Sequence, residues 1–105
     1  MNGASIKLRA EAGPKGAAAV RLLVNHPMLP ERVDAKTGKT LPAHHVDEIV
    51  VAVNGETVLV IDCGPGAAAN PFFSFTIEGV RRGDAIAVRW TDNQRQSDQL
   101  QASVS

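Results

Sequence analysis

At 105 residues the chain can bury one hydrophobic core and not two. Hydrophobic residues make up 44% and charged residues 21%, a balance that fits a globular domain and excludes a disordered one. Eleven basic and eleven acidic side chains cancel, so no long-range field draws in nucleic acid or an anionic membrane, and no apolar run is long enough to span a bilayer.

The dominant pattern is period-two alternation in short runs. Met1 to Lys7 lacks the basic start and apolar stretch of a secretion signal, which predicts a cytoplasmic chain, a mature form, or export by another route. Ile6, Leu8 and Ala10 alternate with Lys7, Arg9 and Glu11 as in a half-buried strand, and Gly13-Pro14-Lys15-Gly16 breaks it. Val20, Leu22 and Val24 form the next set, ended by His26-Pro27. From Pro27 to Pro42 runs a long irregular segment with three prolines and a Thr37-Gly38 turn signal; a connection of that length is functional or mobile in a compact domain.

Val46, Ile49, Val51 and Val53 read as a strand whose spacing slips near Asp47-Glu48, the mark of a bulge. Asn54-Gly55 follows, a strong hairpin signal because a type I′ turn needs positive φ at both central residues. The return strand, Thr57 to Asp62, carries the near-continuous apolar run Val58-Leu59-Val60-Ile61, which leaves its facing ambiguous or buried on both sides. Three alanines in the Gly64–Pro71 stretch are enough for one helical turn. Phe73, Phe75 and Ile77 alternate with polar residues, then Ile86, Val88 and Trp90, then Leu100, Ala102 and Val104, with turns at Gly83-Asp84 and Asp92-Asn93. About seven short strands without an amphipathic helix predict a single all-β domain over residues 1–105, an immunoglobulin-like β-sandwich, with Phe73, Phe75 and Trp90 supplying core bulk.

A catalytic site needs convergent titratable groups. His26, His44, His45, Asp47, Glu48, Asp62, Cys63 and Asp92 supply the raw material. His44 and His45 are neighbours and face apart if they lie in a strand; with His26 they offer at most two metal ligands on one side, in no recognised ligand spacing. The reading favoured here is that His26 and one of the pair are hydrogen-bonded loop residues, so no metal or other cofactor is expected. No nucleophile elbow or phosphate loop occurs. Cys63 ends an apolar strand with no Lys, Arg or His beside it to lower its pKa. It reads first as a small buried side chain, second as an interchain disulfide and third as a sulfur-carrying thiol.

Set in order, Asn25-His26-Pro27-Met28, Arg32, Asp34, Lys36-Thr37-Gly38-Lys39 and Leu41-Pro42-Ala43-His44 resemble the opening half of the SoxZ family, the Z subunits of the SoxYZ sulfur-compound carrier of thiosulfate oxidation. Asn54-Gly55, Pro65, Asn70-Pro71-Phe72, Phe75, Gly83-Asp84 and Trp90-Thr91-Asp92-Asn93 continue the likeness over nearly the whole chain. Departures fall in loops: Pro30 before Glu31-Arg32, Gly66-Ala67-Ala68-Ala69 after Pro65, and Gln94-Arg95 after the Asp92-Asn93 turn. The resemblance implies an immunoglobulin-like domain without catalytic residues. It implies binding to a Y-type subunit whose C-terminal cysteine arm carries the sulfur, transient contact with the pathway's oxidising enzymes, and periplasmic export together with that partner. Isolated, such a chain is expected to self-associate. The expected partner contacts are His26, Met28, Arg32, His44, Asn70 and Pro71, within the Asn25–His44 and Gly64–Pro71 loops, and Cys63 is the residue available for an interchain disulfide. The alternative is a stand-alone immunoglobulin-like module for a small ligand or another protein, with a pocket near His26 and His44.

Overall fold

Alternation of this kind buries one face of each strand, and two such sheets must cover each other. The computed structural model describes residues 3–64 and 68–105, and among them every regular element is a strand. In chain order these are β1 (Ile6–Ala12), β2 (Ala17–Val24), β3 (Arg32–Val33), β4 (Thr40–Leu41), β5 (Val46–Val53), β6 (Glu56–Asp62), β7 (Phe72–Glu78), β8 (Ala85–Asp92) and β9 (Ser97–Ser103). The seven long strands match the expected count. The additional two are the two-residue strands β3 and β4, which pair with each other inside the irregular segment.

Two antiparallel sheets form the body, ordered β1-β2-β7 and β6-β5-β8-β9. The long strands β2 and β5, separated in sequence by the β3–β4 hairpin, lie in different sheets, and β7 returns to pair with β2, so the sheets are linked by crossovers. This is an immunoglobulin-like β-sandwich. Alternation sends Val20, Leu22 and Val24 of one sheet and Ile49, Val51, Ile86, Val88 and Trp90 of the other into the shared core. The Asn54-Gly55 turn has φ of 50° and 85°, as a type I′ hairpin requires. The expected bulge is present: the β5–β8 register slips between Val46 and Glu48. A second slip, between Val51 and Ala52 in the β5–β6 pair, left no signal in the pattern.

One expectation needs correction. Trp90 is fully enclosed, but Phe73 and Phe75 are only half-buried and pack on the rim of the core. They stand on β7, the last strand of its sheet, where among the described residues no neighbouring strand covers their far side. The helical turn considered for Ala67–Ala69 falls partly outside the described residues; Ala68 and Ala69 are not helical.

The two lateral sides of the sandwich differ. Along β1 and β9 the sheets are stitched together. The Ala12 N–H donates to Ser105 O at 2.8 Å, the Ser105 N–H donates to Ala10 O at 3.0 Å, and Gly3 and Ser5 donate to the Asp98 carboxylate. Gly3 has φ +85°, and a Cβ there would stand 2.8 Å from Gln99 O, so only glycine fits this seam. Along β6 and β7 no backbone bond joins the sheets among the described residues.

The molecule measures 56 × 22 × 18 Å with a radius of gyration of 15.9 Å, against about 13 Å for a compact chain of this size. Eight-residue strands span only about 26 Å. The β3–β4 hairpin supplies the remaining length: it pairs with itself, its side chains are largely exposed, and it projects from one end of the sandwich as an arm.

Candidate functional site

The polar centre of the molecule lies at the root of that arm. An isolated bridge closes the root, with the Leu29 N–H donating to His44 O at 2.6 Å and the His44 N–H to Leu29 O at 2.8 Å. His26 leaves the end of β2, and Asp92 is the last residue of β8. Both histidines donate to one oxygen of Asp92: His26 Nε2 at 3.1 Å and His44 Nε2 at 2.8 Å from Oδ2. The other oxygen, Oδ1, accepts the Gln94 and Gln96 N–H groups at 3.0 and 2.8 Å. Asp92 is therefore fully satisfied although buried. Burial works to raise its pKa, but the hydrogen bonds from Gln96, His44, His26 and Gln94 outweigh it and hold the carboxyl below its usual value.

The surroundings fix each ring. His26 packs edge-on against Trp90, with centroids 5.3 Å apart, and against His44 at 4.5 Å. The His26 main chain exchanges two bonds with Asn70: its N–H donates to Asn70 Oδ1 at 3.0 Å, and the Asn70 N–H donates to His26 O at 2.9 Å. Asn93 completes the root, accepting the His45 N–H on Oδ1 and donating Nδ2 to Ala43 O at 2.7 Å. Met28 is buried beneath the root, and its sulfur accepts the Val46 N–H.

His26, His44 and Asp92 place one ligand-type atom each within 4.8 Å of one another, a spacing a metal could use. The proton inventory argues otherwise. His26 Nδ1 accepts the Met28 N–H at 3.1 Å, which puts the ring proton on Nε2, the atom facing Asp92. Metal ligation through Nε2 would move the proton to Nδ1, where it would oppose the Met28 N–H. The arrangement is a clamp in which one carboxylate takes four donors and ties the arm root to the end of β8. The favoured sequence reading, hydrogen-bonded loop histidines, describes this geometry, and the two neighbours do part company: His45 Nδ1 turns to Asp47 at 3.0 Å.

The residues expected to contact a partner separate here. His26 and Met28 are only 3% and 6% exposed, so they offer little surface for a direct contact. His44 and Pro71 are partly exposed, and Arg32 and Asn70 are exposed. Arg32 Nη1 reaches back to Pro30 O and Pro42 O at 3.3 and 3.5 Å, bracing the arm from within. Cys63 is free and half-buried against the core rim. Burial, then the nearby Asp62 and Asp47 carboxylates, push its thiol pKa up, opposite to what an activated thiolate needs.

Two surface hollows, of about 340 and 540 Å³, lie on the outer sheet faces. The first is floored by Val50, Ala52 and Ala87; a smaller third hollow, of about 250 Å³, is lined by Asn25 and Asn70, next to His26, where the stand-alone-module reading places its pocket.

A second buried carboxylate escaped the sequence reading. Asp98 accepts the Gly3 N–H at 2.6 Å and the Ser5 hydroxyl at 2.5 Å, and that hydroxyl accepts Trp90 Nε1 at 3.0 Å. Its signal was positional: Asp98 precedes Leu100, Ala102 and Val104 by the same period of two, so it had to face inward.

Fold and site define an immunoglobulin-like domain whose buried polar network holds a projecting arm in place. The chain belongs to the SoxZ family: the family model for the sulphur oxidation protein SoxZ matches residues 6–103, nearly the whole length. It is thus a sulfur-oxidation protein of the Sox system. A comparison with curated proteins found no match.

Proposed function

We propose that this chain is the non-catalytic subunit of a sulfur-compound carrier. It binds a Y-type subunit whose C-terminal cysteine arm carries the covalent sulfur intermediates, and the pair is exported together to the periplasm. The observation that carries this reading is the arm. It stands clear of the sandwich, exposes Val33 at 66%, and is anchored by a buried clamp that leaves its outer side chains unused. An ordered projection without an internal partner suits contact with another chain. The chemistry supports a supporting role: the clamp histidines are engaged with Asp92, and the thiol pKa of Cys63 is raised.

Co-expression with a Y-type subunit tests the reading. A stable heterodimer is expected, with sulfur adducts found by mass spectrometry on the Y subunit's arm cysteine and none on Cys63. A chain that elutes alone, or that itself becomes sulfur-loaded, would overturn it.

A further inference from the structure

We propose that the open side of the sandwich, along β6 and β7, is a second contact surface that receives a β-strand from the partner subunit, added edgewise to β6. This inference rests on the carrier reading above and concerns where the partner docks.

Four observations converge. First, among the described residues β6 pairs only with β5 and β7 only with β2, so each presents a free row of backbone N–H and C=O groups on the same side of the molecule. Second, the core is unfinished there. Leu59 and Ile61 of β6 and Phe73, Phe75 and Ile77 of β7 point inward yet stay half-exposed, while Ile49, Val51 and Leu22 on the adjacent strands are completely buried. Third, large apolar side chains are exposed on the same two strands: Val58 and Val60 on β6 and Phe72 on β7. The fourth such residue, Val33, lies on the arm.

The fourth observation is charge. β6 and β7 carry Glu56, Asp62 and Glu78 and no Lys or Arg, whereas the rest of the chain holds eleven basic against eight acidic residues.

The opposite side shows how this protein protects an edge. β1 bears Lys7, Arg9 and Glu11 on its outer face, β9 presents Ser97, Gln99, Gln101 and Ser103, and backbone bonds close the gap. β6 is less protected: its charges, Glu56 and Asp62, stand at its ends, a register slip lies opposite Val51/Ala52, and its central residues, Thr57 to Ile61, are uncharged and of high β propensity. An apolar run on both faces suits a strand that is covered on both faces; β6 has Val58 and Val60 bare and its edge unpaired among the described residues.

The occupant follows from the surface. A strand with alternating apolar residues would continue the four-stranded sheet, cover Leu59, Ile61 and the rim phenylalanines on one face, and lie beside Val60 on the other. Basic residues at its ends would meet Glu56 and Asp62.

Binding of the purified full-length chain to a Y-type subunit, with hydrogen–deuterium exchange of the complex, tests this. The β6 amides, Glu56–Asp62, are expected to slow at least tenfold on binding. V58K and V60K, both at exposed positions, should keep the circular-dichroism spectrum and thermal melt of the unaltered chain and weaken binding at least tenfold. Q101K, on the protected edge, should bind as the unaltered chain does. If the unaltered chain binds but the β6 variants bind equally well, or protection appears only elsewhere, the docking inference fails and the carrier reading stands. If the unaltered chain does not bind at all, both fail.

Discussion

Asp92 ties the arm root to β8 because one carboxylate satisfies two backbone amides and two imidazoles. Replacing it by asparagine keeps the shape but turns an NH₂ group toward two N–H donors. The expected loss is about 2 kcal/mol, seen as a fall in Tm of roughly 8–16 °C by circular dichroism. Cys63 offers a second test. A thiol whose pKa is raised should react with iodoacetamide at neutral pH more slowly than free cysteine, and C63S should change stability by less than about 1 kcal/mol. At this scale sequence reading named His26, His44 and Asp92 among its chemical groups without joining them. The contacts run between residues 66 and 48 positions apart, and no local pattern encodes a meeting of that kind.

Among the elements, the strands were legible and the arm was not. Period-two alternation reports a face that is buried, and both sheets have one. β3 and β4 are two residues each and bury almost nothing, so hydrophobic pattern could not announce them. Only Thr37-Gly38 marked their turn, where Gly38 has φ 71° and its N–H donates to Asp34 O at 2.8 Å. Because the arm's packing is local, replacing residues 31–41 with a glycine–serine linker of equal length should leave the sandwich melting within a few degrees of the unaltered chain. The same change should weaken binding of the Y-type subunit at least tenfold, measured by calorimetry. Unchanged affinity would remove the arm from the interface.

At the scale of the whole molecule, the described carboxylates with resolved shifts set the acid limit. Asp98 is held at about 2 against an ordinary 3.8: burial works upward, but bonds from the Ser5 hydroxyl and from the Gly3, Ser5 and Gln99 amides outweigh it. Asp92 is lowered too, and so is the exposed Asp84, first by the Arg81 backbone N–H. A group whose folded pKa lies below its unfolded one stabilises the fold in full above the unfolded value, and that contribution is lost as the pH falls through the folded one. Urea midpoints should therefore hold at mildly acidic pH, then drop from about pH 4 toward pH 2. D98N should start lower, by about 1.5–3 kcal/mol, and descend less steeply over that window.

Residue order alone determined that this is one all-β sandwich, where its turns fall, and which family it resembles, because alternation, Asn-Gly chemistry and ordered motif residues are local properties of the chain. Tertiary structure decided the rest. It showed that Phe73 and Phe75 sit on an open rim, that His26 and Met28 lie beneath the surface, and that two histidines share one aspartate. It also showed that the apolar strand β6 has one side unpaired among the described residues. Edge position, burial depth and the convergence of distant side chains depend on which strands become neighbours, and that depends on all the strands at once.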